Sequence, residues 1–165
     1  MRARRLPTSP PMVGKLISRS AVTCSSDMSV LAKSISATKI VVQDGRLVCE
    51  VVIPDPEKRY CTPGLAGRVR TAFPDIVKHA CVNGVSDKFV TVMDSTSVPH
   101  LLEHLMIDIQ VHDDRAEADA SFVGATEWLD ESVGTALVQI SFGDDLCALQ
   151  ALNESLDFLN AELSR

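Results

Sequence analysis

Aromatic residues and long apolar runs are both scarce in this sequence. Seven of its 165 residues are aromatic, namely five Phe, one Trp and one Tyr. Because so few large rings are available, the core must be built mainly from aliphatic side chains. No apolar run approaches the roughly 20 residues that a helix needs to cross a bilayer. We therefore expect an aliphatic core and no membrane partner.

Paired cysteines are also missing. The sequence holds five cysteines, an odd number, and no Cys-x-x-Cys pair. A disulfide framework needs paired cysteines, whereas free thiols are typical of proteins in a reducing cytosol. The sequence therefore predicts reduced thiols and a cytoplasmic location. Its length, with 45% apolar and 23% charged residues, is typical of one soluble globular domain.

Positive charge is scarce outside the first residues. Residues 1–27 carry five basic groups and one acid, whereas residues 28–165 carry eleven basic and twenty-one acidic residues, a net charge of −10. Because nucleic-acid phosphates repel such an acidic body, we expect no nucleic-acid partner. Residues 1–36 are basic, rich in Ser and Pro, and lack hydrophobic periodicity. They are interpreted as a disordered tail, a transit-like segment or a mis-called start, which places the ordered domain at residues 37–165.

Strand and turn signals predict an α+β fold. Residues 39–43 and 46–53 are rich in β-branched residues and flank Asp44-Gly45, a pattern typical of a β-hairpin. Residues 121–128 and 134–142 are two further strand candidates, joined by an acidic turn. The predicted order of elements is β-β-α-α-α-β-β-α, with antiparallel hairpins packed against helices.

Capping signals locate the other predicted helices. Thr62-Pro63 is typical of a helix start, and residues 74–81 predict a second short helix with His79 and Cys81 at its C-terminal end. Leucines at spacings of three and four predict a final helix after residue 145.

One stretch predicts the helix around which a site would be organised. Ser97 suits the N-cap and Pro99 the first turn. The pattern His100-x-x-Glu103-His104 is the inverted form of the zinc-protease signature. Two imidazoles one turn apart can hold one zinc ion, and the carboxylate between them can accept a proton from water. The alternative is a helix with two hydrogen-bonded or solvated histidines and a surface glutamate.

Two blocks carry a family resemblance: Pro74-x-Ile-Val-x-His79-x-Cys81-x-x-Gly84, and His100-x-x-Glu103-His104 followed by Gln110. They resemble the Pro-x-Leu-x-x-His-x-Cys-x-x-Gly and Gly-His-x-x-Glu-His-x-x-x-Glu-Leu-Gln blocks in the N-terminal domain of cyanophycin synthetases. The likeness covers about residues 38–160 and extends into both later strand candidates. The ATP-grasp and Mur-ligase-like domains of that family have no counterpart here, and no Gly-rich phosphate loop occurs. We therefore expect a stand-alone domain and not an ATP-dependent synthetase.

The resemblance implies a module that holds the Asp–Arg polymer. In some members of the family this domain also carries a metallopeptidase-like site that trims the polymer. For this chain the resemblance implies that His100 and His104 are zinc ligands and that Glu103 is the catalytic general base. The family's arginines after its Gly-Phe-Gly motif are replaced here by Ala125 and Glu127.

The third zinc ligand is not fixed by the spacing. A catalytic zinc usually has three protein ligands and one open position. His79 is the first choice because it belongs to the other matching block. Cys81 as a thiolate is an alternative, and both residues would also be at home in core packing. Glu127 and Glu154 are weaker candidates, and His112 is expected to be solvated.

Three functions are compatible with the sequence. The first is a zinc-dependent hydrolase acting on the Asp–Arg polymer or a related peptide or amide. The second is a non-catalytic module that binds polymer, a partner enzyme or another copy of itself as an oligomer. The third is a vestigial structural domain whose polar residues only satisfy one another.

Overall fold

The computed structural model describes residues 33–82, 84–115 and 120–165. Its described residues form a four-stranded antiparallel sheet of order β1-β2-β4-β3 with three α-helices, which confirms the α+β prediction and the element order. The elements are β1 (Ser36–Gln43), β2 (Arg46–Val52), α1 (Pro63–Ala72), α2 (Val98–Val111), β3 (Gly124–Asp130), β4 (Thr135–Ser141) and α3 (Asp145–Leu163). Short 3-10 helices span Pro56–Lys58, Pro74–Lys78 and Phe89–Thr91.

The predicted hairpin at Asp44-Gly45 is confirmed. Strands β1 and β2 pair with Gln43 opposite Arg46, so the turn contains two residues. Both have positive φ, +41° for Asp44 and +72° for Gly45. Two central residues with positive φ define the tight turn whose twist matches that of paired strands. The dipeptide therefore fixes the register of this hairpin.

One face of the sheet forms the floor of the core. Alternate residues of β2 and β4 are buried, as the period of two in a strand requires. Helix α2 packs against β3, β4 and α3. The large side chains that are fully buried are aliphatic or Met, with Phe89 as the exception, and this confirms the expected aliphatic core.

Two polar side chains, those of Arg59 and Asn160, act as anchors by forming hydrogen bonds with backbone groups at the edge of the core. The guanidinium of Arg59 donates to the carbonyls of Ile53 at 3.1 Å, Pro54 at 3.1 Å and Glu131 at 2.7 Å, which ties the turn between β3 and β4 to the end of β2. The side chain of Asn160 accepts from the amide of Ile35 at 3.1 Å and donates to its carbonyl at 2.9 Å. Both anchors satisfy backbone groups that the sheet leaves unpaired.

Helix α2 begins as predicted. Ser97 caps it by accepting a hydrogen bond from the amide of His100 at 3.3 Å, and Pro99 lies in the first turn. The polar side of the helix is not solvated, because Glu103 is 6% and His104 2% exposed. Strand β3 covers Glu103, and the segment around Phe89 covers His104.

The short helix after Phe73 ends earlier than predicted. It spans Pro74–Lys78, and His79 is already extended, with φ −62° and ψ 133°. The carbonyl of His79 accepts from the amide of Phe89 at 3.0 Å, and the amide of Cys81 donates to the carbonyl of Asp87 at 3.0 Å. These contacts to a later segment replace the hydrogen bonds that would have continued a helix.

The N-terminal stretch assigned to residues 1–36 lies largely outside the described residues. Of that stretch, residues 33–36 are described, and Ile35 is fully buried in the core. Within the described ranges, no helix combines the length and apolarity required to traverse a bilayer.

Candidate metal centre

Three residues from two segments converge at the N-terminal half of α2. His100 and His104 lie one turn apart on the helix, and Cys81 comes from the extended segment that follows the 3-10 helix Pro74–Lys78. One ligand atom from each lies within 4.8 Å of the others. Imidazole nitrogen and thiolate sulfur are the donors that zinc prefers in proteins. This group of Cys81, His100 and His104, called the Cys-His-His cluster below, can hold a metal ion.

The two histidines of the cluster each contact a further side chain outside it. His100 Nδ1 lies 2.7 Å from the hydroxyl of Thr96, and its Nε2 lies 3.4 Å from the sulfur of Cys81. The ring of His104 stacks on Phe89, with centroids 3.7 Å apart and planes at 22°. His104 Nε2 is buried and has no hydrogen-bond partner. A buried polar atom without a partner is costly, so a ligand on this nitrogen would remove that cost.

His79 lies beside the cluster and not within it. Its Nδ1 is 3.2 Å from Nδ1 of His104, and its Nε2 is 3.2 Å from Oδ1 of Asp108. Asp108 is 4% exposed, and its Oδ1 has no hydrogen-bond partner among the described residues, so its approach to His79 is a close contact and not a hydrogen bond. The third member of the described cluster is thus Cys81, the alternative named from the sequence, whereas His79 contacts one of its ligands.

Glu103 lies on the same turn of α2 and faces strand β3. Its Oε2 accepts a hydrogen bond from the hydroxyl of Thr126 at 2.6 Å. Gly124, two residues earlier on β3, leaves room for this carboxylate, because a Cβ at that position would overlap Cγ, Cδ and Oε1 of Glu103. The strand therefore packs directly on the carboxylate and supplies one hydroxyl to it.

Burial controls the protonation of these groups. It lowers the pKa of His104 from 6.5 to about 3, with smaller contributions from the nearby His100 and His79. Burial also lowers the pKa of His100. Burial raises the pKa of Glu103, and the Thr126 hydrogen bond partly opposes this. Neutral imidazoles are the form that binds metal, and a carboxyl with a raised pKa is better matched to proton transfer near neutral pH.

The remaining candidates from the sequence lie elsewhere. Glu127 is exposed on β3, and Glu154 lines a cavity beside α3. His112 is half exposed, as expected, but it is also bonded to Asp75 at 3.1 Å and to the carbonyl of Asp108 at 2.8 Å.

Sequence reasoning missed two of the neighbouring groups. Thr126 reaches Glu103 from another element, and no local pattern signals it. Asp108 follows His104 by one helical turn on α2, so the period of the helix could have indicated that it faces the same side.

Three cavities surround the C-terminal end of α2. One of about 600 Å³ includes Gln110, one of about 660 Å³ includes Asp108, and one of about 380 Å³ includes His79. None of these three is lined by Cys81 or Glu103. The cavities therefore reach the site through His79 and Asp108 and not through the cluster itself.

Comparison with known protein families identifies the class of domain to which the fold belongs. Residues 55–163 match the family described as cyanophycin synthase-like N-terminal domain. The chain belongs to this family, and the match includes the Cys-His-His cluster, Glu103 and His79. Searches of curated proteins and of solved structures find no significant match to the chain.

Proposed function

We propose that this protein is a metal-dependent hydrolase of amide bonds, with the Asp–Arg polymer or a related peptide as substrate. The observation that carries the proposal is the Cys-His-His cluster, in which Nε2 of His104 is buried and has no hydrogen-bond partner. The donor set, two imidazoles and one thiol, fits zinc. A bound zinc ion would acidify a water molecule and polarise the carbonyl of the substrate.

The residues of the chain have separable roles in this proposal. Cys81, His100 and His104 hold the metal ion. Glu103 is the general base, because its burial raises its pKa and the Thr126 hydroxyl fixes the position of its carboxylate. Its position between the two histidines on α2 places it on the same turn as the metal ligands.

A second function is favoured by the position of the cavities. The spaces of about 600 Å³ and 660 Å³ lie away from Cys81 and Glu103, and they are of the size that ligand sites have. A non-catalytic module that binds the polymer at these surfaces would use them without the cluster. This alternative predicts that Glu103→Gln leaves polymer binding and every measurable function intact.

Metal analysis and a hydrolysis assay test the first proposal. Purified protein loaded with Zn²⁺ is expected to hold about one equivalent, and Cys81→Ser and His104→Gln are expected to lose it. Cys61→Ser is the matched control, since Cys61 is also a buried free cysteine but lies outside the cluster. Metal content below a tenth of an equivalent in the wild type would refute the proposal.

Hydrolysis is measured as the release of new amine groups from Asp–Arg polymer. Glu103→Gln is expected to abolish this release while zinc binding persists. Glu127→Gln, which alters an exposed glutamate on β3, is expected to retain it. Equal activity of the Glu103 variant and the wild type would contradict the assigned role of Glu103, and activity in neither would favour the binding module.

A further inference from the structure

We propose that the open edge of strand β3 binds an extended peptide chain through main-chain hydrogen bonds, as an added strand beside Glu103. This inference rests on the proposed hydrolase and deepens it, because it defines the substrate as a linear peptide in extended conformation and names the surface that holds it. Strand β3 is the last strand in the sheet order β1-β2-β4-β3, so among the described residues one of its edges has no neighbouring strand.

The pairing of β3 with β4 shows which backbone groups of β3 face the open edge. The amide of Ser141 in β4 donates to the carbonyl of Val123 at 2.8 Å, so this carbonyl, one residue before β3, is directed toward β4. Successive residues of a strand direct their backbone groups to opposite edges. The backbone groups of Ala125 and Glu127 therefore also face β4, opposite Gln139 and Leu137.

The intervening residues Gly124, Thr126 and Trp128 then direct their N–H and C=O groups to the open edge. Within the described ranges, no backbone hydrogen bond joins these three residues to any element other than β4. A row of unpaired backbone groups is a template for a further strand. Peptides that add a strand to such an edge gain their affinity from main-chain hydrogen bonds.

The open edge runs past the proposed general base. Gly124 packs on the side chain of Glu103, and the hydroxyl of Thr126 donates to its carboxylate at 2.6 Å. A peptide paired with these two residues would lie beside this carboxylate. None of the three cavities described above is lined by Gly124, Thr126 or Glu103. The edge, and not a cavity, would therefore bring a substrate to Glu103.

Charge along this part of the chain favours a peptide with basic side chains. Residues 124–134 contain three acids, Glu127, Asp130 and Glu131, and no basic residue. Glu127 is exposed, and it lies on the face of β3 opposite to Thr126 because adjacent residues of a strand point to opposite faces. A basic residue of the peptide across from Glu127 would pair with it, as opposite charges do on neighbouring strands.

Amide hydrogen exchange of the full-length, metal-free protein tests the edge. Without peptide, we expect the amides of Gly124, Thr126 and Trp128 to exchange faster than those of Ala125 and Glu127, which bond to β4. The probe is a blocked peptide of alternating Ala and Arg residues, as long as β3. At saturation it is expected to slow exchange of the three edge amides at least about 10-fold, and to change the other two much less.

Two controls separate main-chain pairing from the attraction of charges. The same peptide methylated on every amide nitrogen keeps its charge, but its methyl groups block pairing with a strand, so we expect it to protect none of the edge amides. Glu127→Lys is expected to weaken binding of the unmodified peptide about 2- to 5-fold. Glu154→Lys makes the same change of charge on α3 and is expected to leave binding unchanged. An equal loss in both variants would contradict the pairing with Glu127.

Slow exchange of the three edge amides in the free protein would overturn the proposal, because the edge would then be covered by the chain itself or by a second copy. Absence of peptide binding, binding without edge protection, or equal protection by the methylated peptide would also overturn it. Edge protection in a protein that binds no zinc would refute the metal centre and leave the peptide-binding edge standing. Zinc-dependent hydrolysis without edge protection would overturn the edge and leave the hydrolase.

Discussion

Thr126 on β3 donates a 2.6 Å hydrogen bond to the carboxylate of Glu103 on α2 and thereby joins an edge strand to the motif helix. Because the hydroxyl stabilises the charged form of the carboxyl, it lowers the pKa that burial raises. Thr126→Val keeps the shape of the side chain and removes the donor. We expect the pKa of Glu103 to rise and the free energy of unfolding at neutral pH to fall by about 1–3 kcal/mol.

The titration of ¹³C-labelled glutamate carboxyls measures this change. Thr38→Val is the control, since Thr38 donates to a backbone carbonyl on the exposed side of β1. A pKa of Glu103 that stays constant or falls in Thr126→Val would show that the hydroxyl does not act on the carboxylate.

Gly124 permits strand β3 to pack on Glu103, which makes it a sensitive position. In Gly124→Ala the new methyl group would overlap the carboxylate, so Glu103 must move. We expect a loss of about 1–3 kcal/mol of stability from overpacking and a loss of hydrolysis with Zn²⁺ binding retained. Gly143→Ala is the control, because nothing lies within 4 Å of a Cβ there. Full activity of Gly124→Ala would contradict the tight placement of Glu103.

The buried His104 makes stability depend on pH. Its pKa of about 3 in the folded chain lies below 6.5, so its contribution is complete at pH values above 6.5 and is lost as the pH falls toward 3. The reason is that His104 binds a proton in the unfolded chain at pH values at which it stays neutral in the folded chain. The expected slope is at most about 1.4 kcal/mol per pH unit.

Urea unfolding of metal-free protein at pH 7.5 and pH 5 measures this dependence. The stability advantage of wild type over His104→Gln is expected to shrink at the lower pH. His112→Gln should behave in the opposite sense, because bonds to the Asp108 carbonyl and to Asp75 raise the pKa of His112. The stability advantage of the wild type over His112→Gln is therefore present at low pH and is lost as the pH rises. The same trend for both variants would contradict the assignment.

Arg59 is a structural cation and not a part of the site. Its guanidinium is buried and donates to three backbone carbonyls, so Arg59→Met would remove one donor from each. The Glu131 carbonyl would keep its hydrogen bond from the amide of Gly134. We expect the free energy of unfolding to fall by about 2–4 kcal/mol. Arg70→Met, which removes a partly exposed ion pair with Asp94, is expected to cost less than about 1 kcal/mol. Chemical denaturation compares the two, and equal losses would contradict the role of Arg59.

Local signals in the sequence were sufficient for several elements. The turn at Asp44-Gly45 and the cap at Ser97 depend on residues within a few positions of one another. The spacing of His100, Glu103 and His104 on one helix is of the same kind, because 3.6 residues complete a turn. The order of strands and helices followed from such signals.

Long-range contacts decided the composition of the site. Cys81 and His100 are 19 residues apart, His79 and His104 are 25 apart, and Glu103 and Thr126 are 23 apart. The sequence made His79 the first choice for a third ligand and Cys81 the alternative, and it had no local signal to decide between them, because both follow the same short helix. The choice depends on the hydrogen bonds of their backbone to the segment around Phe89.

The sequence by itself determined the motif helix, the hairpins and the chemical types available for a metal centre. Only the tertiary structure decided that Cys81 joins His100 and His104, that His79 is held between His104 and Asp108, and that β3 covers Glu103. The physical reason is that burial and partner geometry arise when separate segments pack together. No period within a single segment specifies them.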